Sequence, residues 1–166
     1  MKLLEPTMAY DQPIQAFRRE YLASGESMDG SSHLRKFDKT QDWLAQLEPF
    51  TKQYIFIREE DDTVVGVIQI RRRLNEFLEK YAGHIGYCVL PSERRKGYAA
   101  QMLALTLREC ERLGIYDVLV TCLANNEASR KTILANGGEY ESTIFEPESQ
   151  NRIERYWIHL SQPGPI

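Results

Sequence analysis

The stretch SERRKGYAAQML, Ser92 to Leu103, decides how this chain is read. Three consecutive cations, Arg94, Arg95 and Lys96, meet a glycine, Gly97, and an apolar helical pattern begins straight after it. Upstream, HIGYCVL (His84–Leu90) reads as a strand stopped by Pro91. Downstream, Tyr98–Gly114 places Met102, Leu103, Leu105, Leu107 and Leu113 in a helical pattern, and Gly114 suits the position just past a helix end. A helix start exposes unpaired N–H groups and carries partial positive charge, so anions bind there. Gly97 can take positive φ and lets a ligand approach the backbone. The same order also describes a solvated charged turn before a surface helix, and the cations alone do not separate the two readings. Two phosphate-binding templates are excluded. The loop lacks GxxxxGK[ST], and it lacks GxGxxG.

Outward from this stretch, the chain reads as β, α, α, β, β, short helix, β, α, β, α, β, β. MKLLEP is a short first strand, and Met8–Ala23 is an amphipathic helix with Ile14, Phe17, Tyr21 and Leu22 on one face. SGESMDGSS (Ser24–Ser32) is a loop. Asp38–Glu48 is a second helix, with Asp38 or Thr40 as cap and Trp43, Leu44 and Leu47 inward. QYIFIREE and TVVGVIQIRR flank Asp61–Asp62 as an antiparallel hairpin, and Arg73–Gly83 is a short helix or ordered loop. YDVLVTCLA is nearly all apolar and belongs in the middle of a sheet. NNEASRKTILANGG is a helix capped by Asn125 or Asn126 and stopped by Gly137 and Gly138. EYESTIFEP and RIERYWIHLS close the chain as antiparallel strands, and Pro163–Pro165 form a tail expected to fray. The fold class is α/β: a mixed, mostly antiparallel sheet with a central parallel pair and helices on both faces. No repeat or linker divides residues 1–166, so one domain is expected.

Hydrophobic residues make up 42% and charged residues 27% of the chain, enough apolar material for a continuous core. A net charge of −3 argues against nucleic-acid binding, and Arg94–Lys96 and Arg71–Arg73 are local clusters. Cys88, Cys110 and Cys122 form no CxxC pair and sit in apolar stretches, so buried free thiols are expected rather than disulfides or a metal site. The N-terminus has no long apolar run, so neither a signal peptide nor a membrane anchor is expected. A cytoplasmic location follows.

RRKGYA fits [Q/R]-x-x-G-x-[G/A], with Arg94, Gly97 and Ala99 at the fixed places. With its strand–loop–helix setting and the downstream NNEAS helix, it resembles the pyrophosphate loop of the GNAT superfamily of N-acetyltransferases. The order of elements is similar along nearly all of the chain. The longer phrase GHIGYCVLPSERRKGYA…NEASRKTILANGG resembles a bacterial branch of predicted acetyltransferases. The resemblance implies acetyl-CoA as donor and direct attack by a primary amine. It implies that the backbone from Arg95 through Lys96, Gly97 and Tyr98 to Ala99 holds the pyrophosphate, with Arg94 at the entry. It further implies that the strand edge at Cys88, Val89 and Leu90 pairs with the pantetheine arm. Asn126 matches the family's cofactor-binding Asn, though it also reads as a plain helix cap. Ser129 and Lys131 on the same helix are within reach of the cofactor. Many members dimerise, so the resemblance allows a homodimer.

Acetyl transfer to an amine needs a base, a donor for the developing oxyanion and an acid for the leaving thiolate. His84 begins the strand where the thioester would lie, and imidazole titrates near pH ~6.5. It reads as the base or as a strand-start histidine hydrogen-bonded to a nearby backbone carbonyl. Glu93 is a weaker candidate. The oxyanion donor would be a strand N–H near Cys88 or Val89. Many family members carry a tyrosine seven residues after the helix Asn as the acid, and here that position is Ile133. Tyr140, Tyr87 or water are the replacements, Tyr140 also fitting a plain packing role. Cys88 as a ping-pong nucleophile has no assured cationic partner. Between the hairpin and the fourth strand, Arg71, Arg73 and Asn75 read either as a solvated strand end with a helix cap or as a site for a carboxylate or phosphate on the acceptor. The resemblance implies a small-molecule or peptide amine as the acceptor. The absent tyrosine motivates a second reading, a non-catalytic coenzyme A-binding sensor or interaction domain.

Overall fold

The computed structural model describes residues 1–164, and Pro165 and Ile166, the end of the expected tail, lie outside the described residues. The elements follow the expected order: β1 Lys2–Leu4, α1 Asp11–Ser24, α2 Thr40–Ala45, β2 Thr51–Arg58, β3 Thr63–Arg71, α3 Glu76–Tyr81, β4 Ile85–Val89, α4 Tyr98–Arg112, β5 Asp117–Leu123, α5 Glu127–Ala135, β6 Glu139–Glu146 and β7 Asn151–His159. They form a seven-stranded sheet in the order β1-β2-β3-β4-β5-β7-β6. Neighbouring strands are antiparallel except β4 and β5, which are parallel and in register only at Ile85 and Val120.

The apolar run in β2 is continuous because both faces of the sheet are covered. Tyr54 and Phe56 join Ile68, Ile70, Met102, Leu103 and Leu107 beneath α4, with Ile133 from α5 in the same cluster. Ile55 and Ile57 face the other way, onto Ile14, Phe17 and Tyr21 of α1 and Trp43 of α2. Each such side chain contributes roughly 1.5–3 kcal/mol by leaving water. The helix over Met8–Ala23 is divided in the structure. Met8–Tyr10 forms a 3-10 turn capped by Thr7, and α1 starts at Asp11. Neither Asp38 nor Thr40 caps α2: the cap position is Lys39, without a side-chain bond, and the Thr40 hydroxyl instead accepts from Gln15 Nε2 at 3.1 Å. Asn126 caps α5, its side chain accepting from Ser129 N at 3.1 Å.

Candidate functional site

β4 and β5 part after their single point of register, and a cleft of about 690 Å³ opens between them. One wall is β4 from Ile85 to Val89, and the other is Thr121–Leu123 with Asn126, Ser129 and Thr132 of α5. The loop after α1 closes one side with Glu26, Ser27, Asp29 and Gly30, beside Tyr21 and Arg71. Arg94 and Ala99 mark the end nearest α4.

The β3–β4 register sets which backbone groups reach this gap. Arg71 N donates to His84 O at 2.6 Å, and Leu90 N donates to Val65 O at 2.8 Å. Between these fixed points peptide directions alternate, so Gly86 and Cys88 turn their N–H and C=O to β3, while Tyr87 and Val89 turn theirs toward β5. With β5 splayed away, that edge of β4 is open. The Val89 carbonyl accepts from Tyr21 Oη at 2.7 Å and from Arg94 Nε at 3.3 Å. Burial raises the Tyr21 hydroxyl pKa well above its ordinary range, so it stays a donor.

At the end nearest α4, Gly97 is the cap residue with φ 78, and no side chain caps the helix. Arg95 also has positive φ, 64. The exposed loop therefore presents the first-turn N–H groups of a fifteen-residue helix without an internal partner. Its cations are differently employed. Arg94 pairs with Glu26, and Lys96 pairs with Glu93 at 2.8 Å, which Arg58 also holds at 2.8 Å. Arg95 has no ion pair among the described residues. Tyr98 begins the helix and packs edge-on against Phe56, ring centroids 6.2 Å apart.

Tyr87 projects from β4 toward α5, its hydroxyl 2.6 Å from Ser129 Oγ. Burial raises its pKa to about 12, with the Ser129 hydrogen bond a smaller opposing effect. Cys88 faces α1, and burial pushes its thiol up to about 12. Ile133 is fully buried in the core, and the α5 residues that reach the cleft are Ala128, Ser129 and Thr132.

Several expected site residues stand elsewhere. His84 does not line the cleft. Its Nδ1 accepts from Leu119 N at 2.9 Å, which fixes the proton on Nε2 and spends the lone pair that a base would use. Burial, with the Arg71 charge second, lowers its pKa. Tyr140 is on the edge strand β6, 57% exposed, its hydroxyl bonded to Thr143 at 2.7 Å. It packs on Tyr156 and does not line the cleft. Arg73 stacks over Phe50 at 3.6 Å, and Asn75 caps α3 by accepting from Leu78 N at 2.8 Å. Lys131 is exposed and pairs with Glu127. Leu90 is buried in the α1-side core. Of the residues named from the sequence for cofactor or acceptor, Cys88, Val89, Arg94, Ala99, Asn126, Ser129 and Arg71 line the cleft together.

Nothing in the sequence marks Glu26 or Asp29 as cleft residues, whereas Tyr21, expected from its helix to form a wall of the acceptor cleft, does line it. Gly86 did carry a signal, since a glycine inside a strand marks close backbone approach. A Cβ there would lie 2.6 Å from Arg71 Nη2, and a Cβ on Gly30 would lie 2.1 Å from Gly86 O.

The model of the acetyltransferase (GNAT) family matches residues 14–137, which include most of α1, the β4–loop–α4 unit and α5. The chain belongs to the acetyltransferase (GNAT) family. Its members among solved structures share the whole architecture. Ribosomal-protein-S5-alanine acetyltransferase from Vibrio fischeri superimposes with a TM-score of 0.73 at 13% identity, covering 98% of this chain and 94% of that one. RimL, a ribosomal L7/L12 alpha-N-protein acetyltransferase in complex with coenzyme A, gives 0.71 at 16% identity, covering 95% and 93%. The microcin C7 self-immunity acetyltransferase MccE, in complex with acetyl-CoA and AMP, gives 0.69 at 14% identity, covering 95% and 91%. At these identities the likeness is one of fold. No curated protein matches the chain. Among the described residues of this GNAT protein, no helix is long and apolar enough to cross a membrane.

Proposed function

We propose that the protein is an acetyl-CoA-dependent N-acetyltransferase that transfers acetyl to a primary amine by direct attack, within a single domain spanning the chain. The observation that carries this reading is the meeting of three features along one cleft: the uncapped N-terminus of α4, whose Ala99 lines it, an open β4 edge and Tyr87 with its hydroxyl toward α5. The residues fit the donor. The first-turn N–H groups of α4 and the cation Arg95 suit a pyrophosphate, and the Tyr87 and Val89 peptide groups suit the amides of a pantetheine arm. Asn126 and Ser129 line the opposite wall. Relatives of the same fold are complexed with coenzyme A and with acetyl-CoA.

Acetyl-CoA, when bound, supplies the thioester carbonyl that the amine attacks. The N–H of Val89 or Tyr87 offers a donor to the charge that develops on the carbonyl oxygen. Glu26 is occupied by Arg94, whereas Asp29 carries no ion pair among the described residues and takes the proton that the ammonium must lose. Tyr87, protonated at neutral pH, gives its proton to the departing sulfur and regains one from the acetylated nitrogen. A proton released to solvent completes the balance. The tyrosine hydroxyl thus comes from β4 rather than from α5. Three buried free thiols suit a reducing compartment, and we place the protein in the cytoplasm.

Calorimetry with acetyl-CoA and with coenzyme A, followed by an amine panel monitored for free thiol, tests the reading. Binding with turnover of an amine is expected. Binding without turnover of any amine supports the non-catalytic sensor instead, and absence of binding refutes both.

A further inference from the structure

Arg71 is the last residue of β3, and its guanidinium lies against Gly86 inside the cleft. It is the cleft cation without a counter-charge. Arg58, Arg94 and Arg155 each hold a carboxylate, whereas Arg71 forms no ion pair among the described residues. Its hydrogen bonds go to neutral carbonyl oxygens. Nη1 donates to Gly83 O at 3.0 Å and to Ala82 O at 3.4 Å. With the Gln69 amide turned so that its oxygen faces the guanidinium, Nε and Nη2 donate to Gln69 Oε1 at 3.2 and 3.1 Å. Burial disfavours the charge, lowering the Arg71 pKa. A guanidinium held in this way is a site for a planar anion.

The opposite charge is close by. Asp29 lines the same cleft, is exposed, and among the described residues only the Ser27 hydroxyl donates to its carboxylate, at 3.5 Å. Its charge is felt at both Arg71 and Cys88, yet it forms no ion pair with Arg71. A chain of directed hydrogen bonds sets the spacing between the two. Gln69 Nε2 donates to Ser32 Oγ at 2.9 Å, Ser32 Oγ donates to Gln53 Oε1 at 2.7 Å, and Gln53 Nε2 donates to Gly30 O at 2.9 Å. Every donor in that chain has an acceptor, so the guanidinium is tied to the backbone of the residue after Asp29. The glycines at 30 and 86 let loop, strand and guanidinium lie in contact.

From this arrangement, and resting on the acetyltransferase reading of the cleft, we infer that the acceptor is a small free amino acid whose carboxylate is received by Arg71 and whose amine is received by Asp29. Opposite charges that line one cleft without pairing match a molecule carrying both. A polyamine would bring ammonium groups against an unneutralised guanidinium. A peptide N-terminus lacks the free carboxylate beside its amine. The acceptor is small because the same cleft of about 690 Å³ must also admit the cofactor arm.

The test uses the intact protein and pairs each proteinogenic amino acid with its decarboxylated amine, for example lysine with cadaverine and phenylalanine with phenethylamine. Spermidine and a peptide amide complete the set. Binding to the coenzyme A-saturated protein is read by calorimetry and acetyl transfer by thiol release. An amino acid is expected to bind, and to exceed its decarboxylated partner in kcat/KM by about 10- to 100-fold, as a charge-assisted pair predicts. In R71Q that ratio collapses toward one, and D29N lowers kcat/KM for both members of a pair. A preferred acceptor without a carboxylate, failure of every amino acid to bind, or a wild-type ratio preserved in R71Q would overturn the inference. The acetyltransferase reading survives those results wherever another amine is acetylated. Failure to bind acetyl-CoA removes both.

Discussion

Tyr87 and Ser129 meet hydroxyl to hydroxyl at 2.6 Å across the gap where β4 and β5 part. The contact joins the strand edge to the helix wall without closing the backbone gap between them. It holds a protonated phenol, its pKa raised to about 12, against α5, whose own position 133 is a core isoleucine.

Y87F should therefore lower kcat by about 100-fold, the low end of general acid catalysis, with coenzyme A affinity changing far less. Because the phenol stays protonated up to its raised pKa, the wild-type profile should show no tyrosine limb below about pH 11. Single-turnover thiol release in both proteins checks this. A Y87F enzyme with wild-type kcat removes the acid assignment.

Gly97 predicts a different loss. A Cβ there would meet only Gln101 Nε2, at 3.9 Å, so space is not the obstacle. The obstacle is φ 78, which costs an L-residue about 1–2 kcal/mol. A valine lets the free loop relax to negative φ, and binding must then restore the strained form. G97V should weaken coenzyme A about tenfold or more by calorimetry. An unchanged Kd would show that the α4 N-terminus does not hold the cofactor.

The element order and the parallel β4–β5 pair were legible because apolar period and Gly/Pro punctuation are local properties of the chain. The loop at Arg94–Ala99 was legible for the same reason. The acceptor side was not. SGESMDGSS reads as a turn-rich loop whatever it covers, and only the fold brings Glu26 and Asp29 over β4. Tyr21 shows helical spacing like any core residue, and its bond to Val89 O depends on a contact 68 residues away. The two readings of His84 could not be separated, because sequence position gives the strand start but not which ring nitrogen is occupied. Arg71 and Arg73 could not be separated by composition. One crosses Gly86 into the cleft, and the other covers Phe50.

The cysteines should be chemically quiet. Burial raises Cys88 and Cys110 to about 12 and Cys122 to about 11. At pH 8 the thiolate fraction is small at each. Native protein should resist iodoacetamide until it is unfolded, and mass spectrometry after incubation with acetyl-CoA should show no acetyl adduct. An acetyl group on Cys88 would replace direct attack with a ping-pong route.

The bond from Leu119 N predicts that His84 contributes to stability rather than to proton transfer. H84A leaves the Leu119 N–H without its side-chain acceptor, at a cost of about 1–3 kcal/mol in chemical denaturation. The pH dependence has a definite sign. The folded-state pKa of His84 lies below the ordinary value, so the unfolded chain binds its proton more readily. Stability is full above about pH 6.5 and falls as the pH drops through that value toward the lower folded pKa. His159, raised chiefly by its bond to Asp117, acts in the opposite direction but is present in both proteins and cancels in the comparison. The stability gap between wild type and H84A should therefore narrow from pH 7.5 to pH 5.5, while the pH–rate profiles keep one shape. Loss of a kinetic limb in H84A would restore the histidine as base.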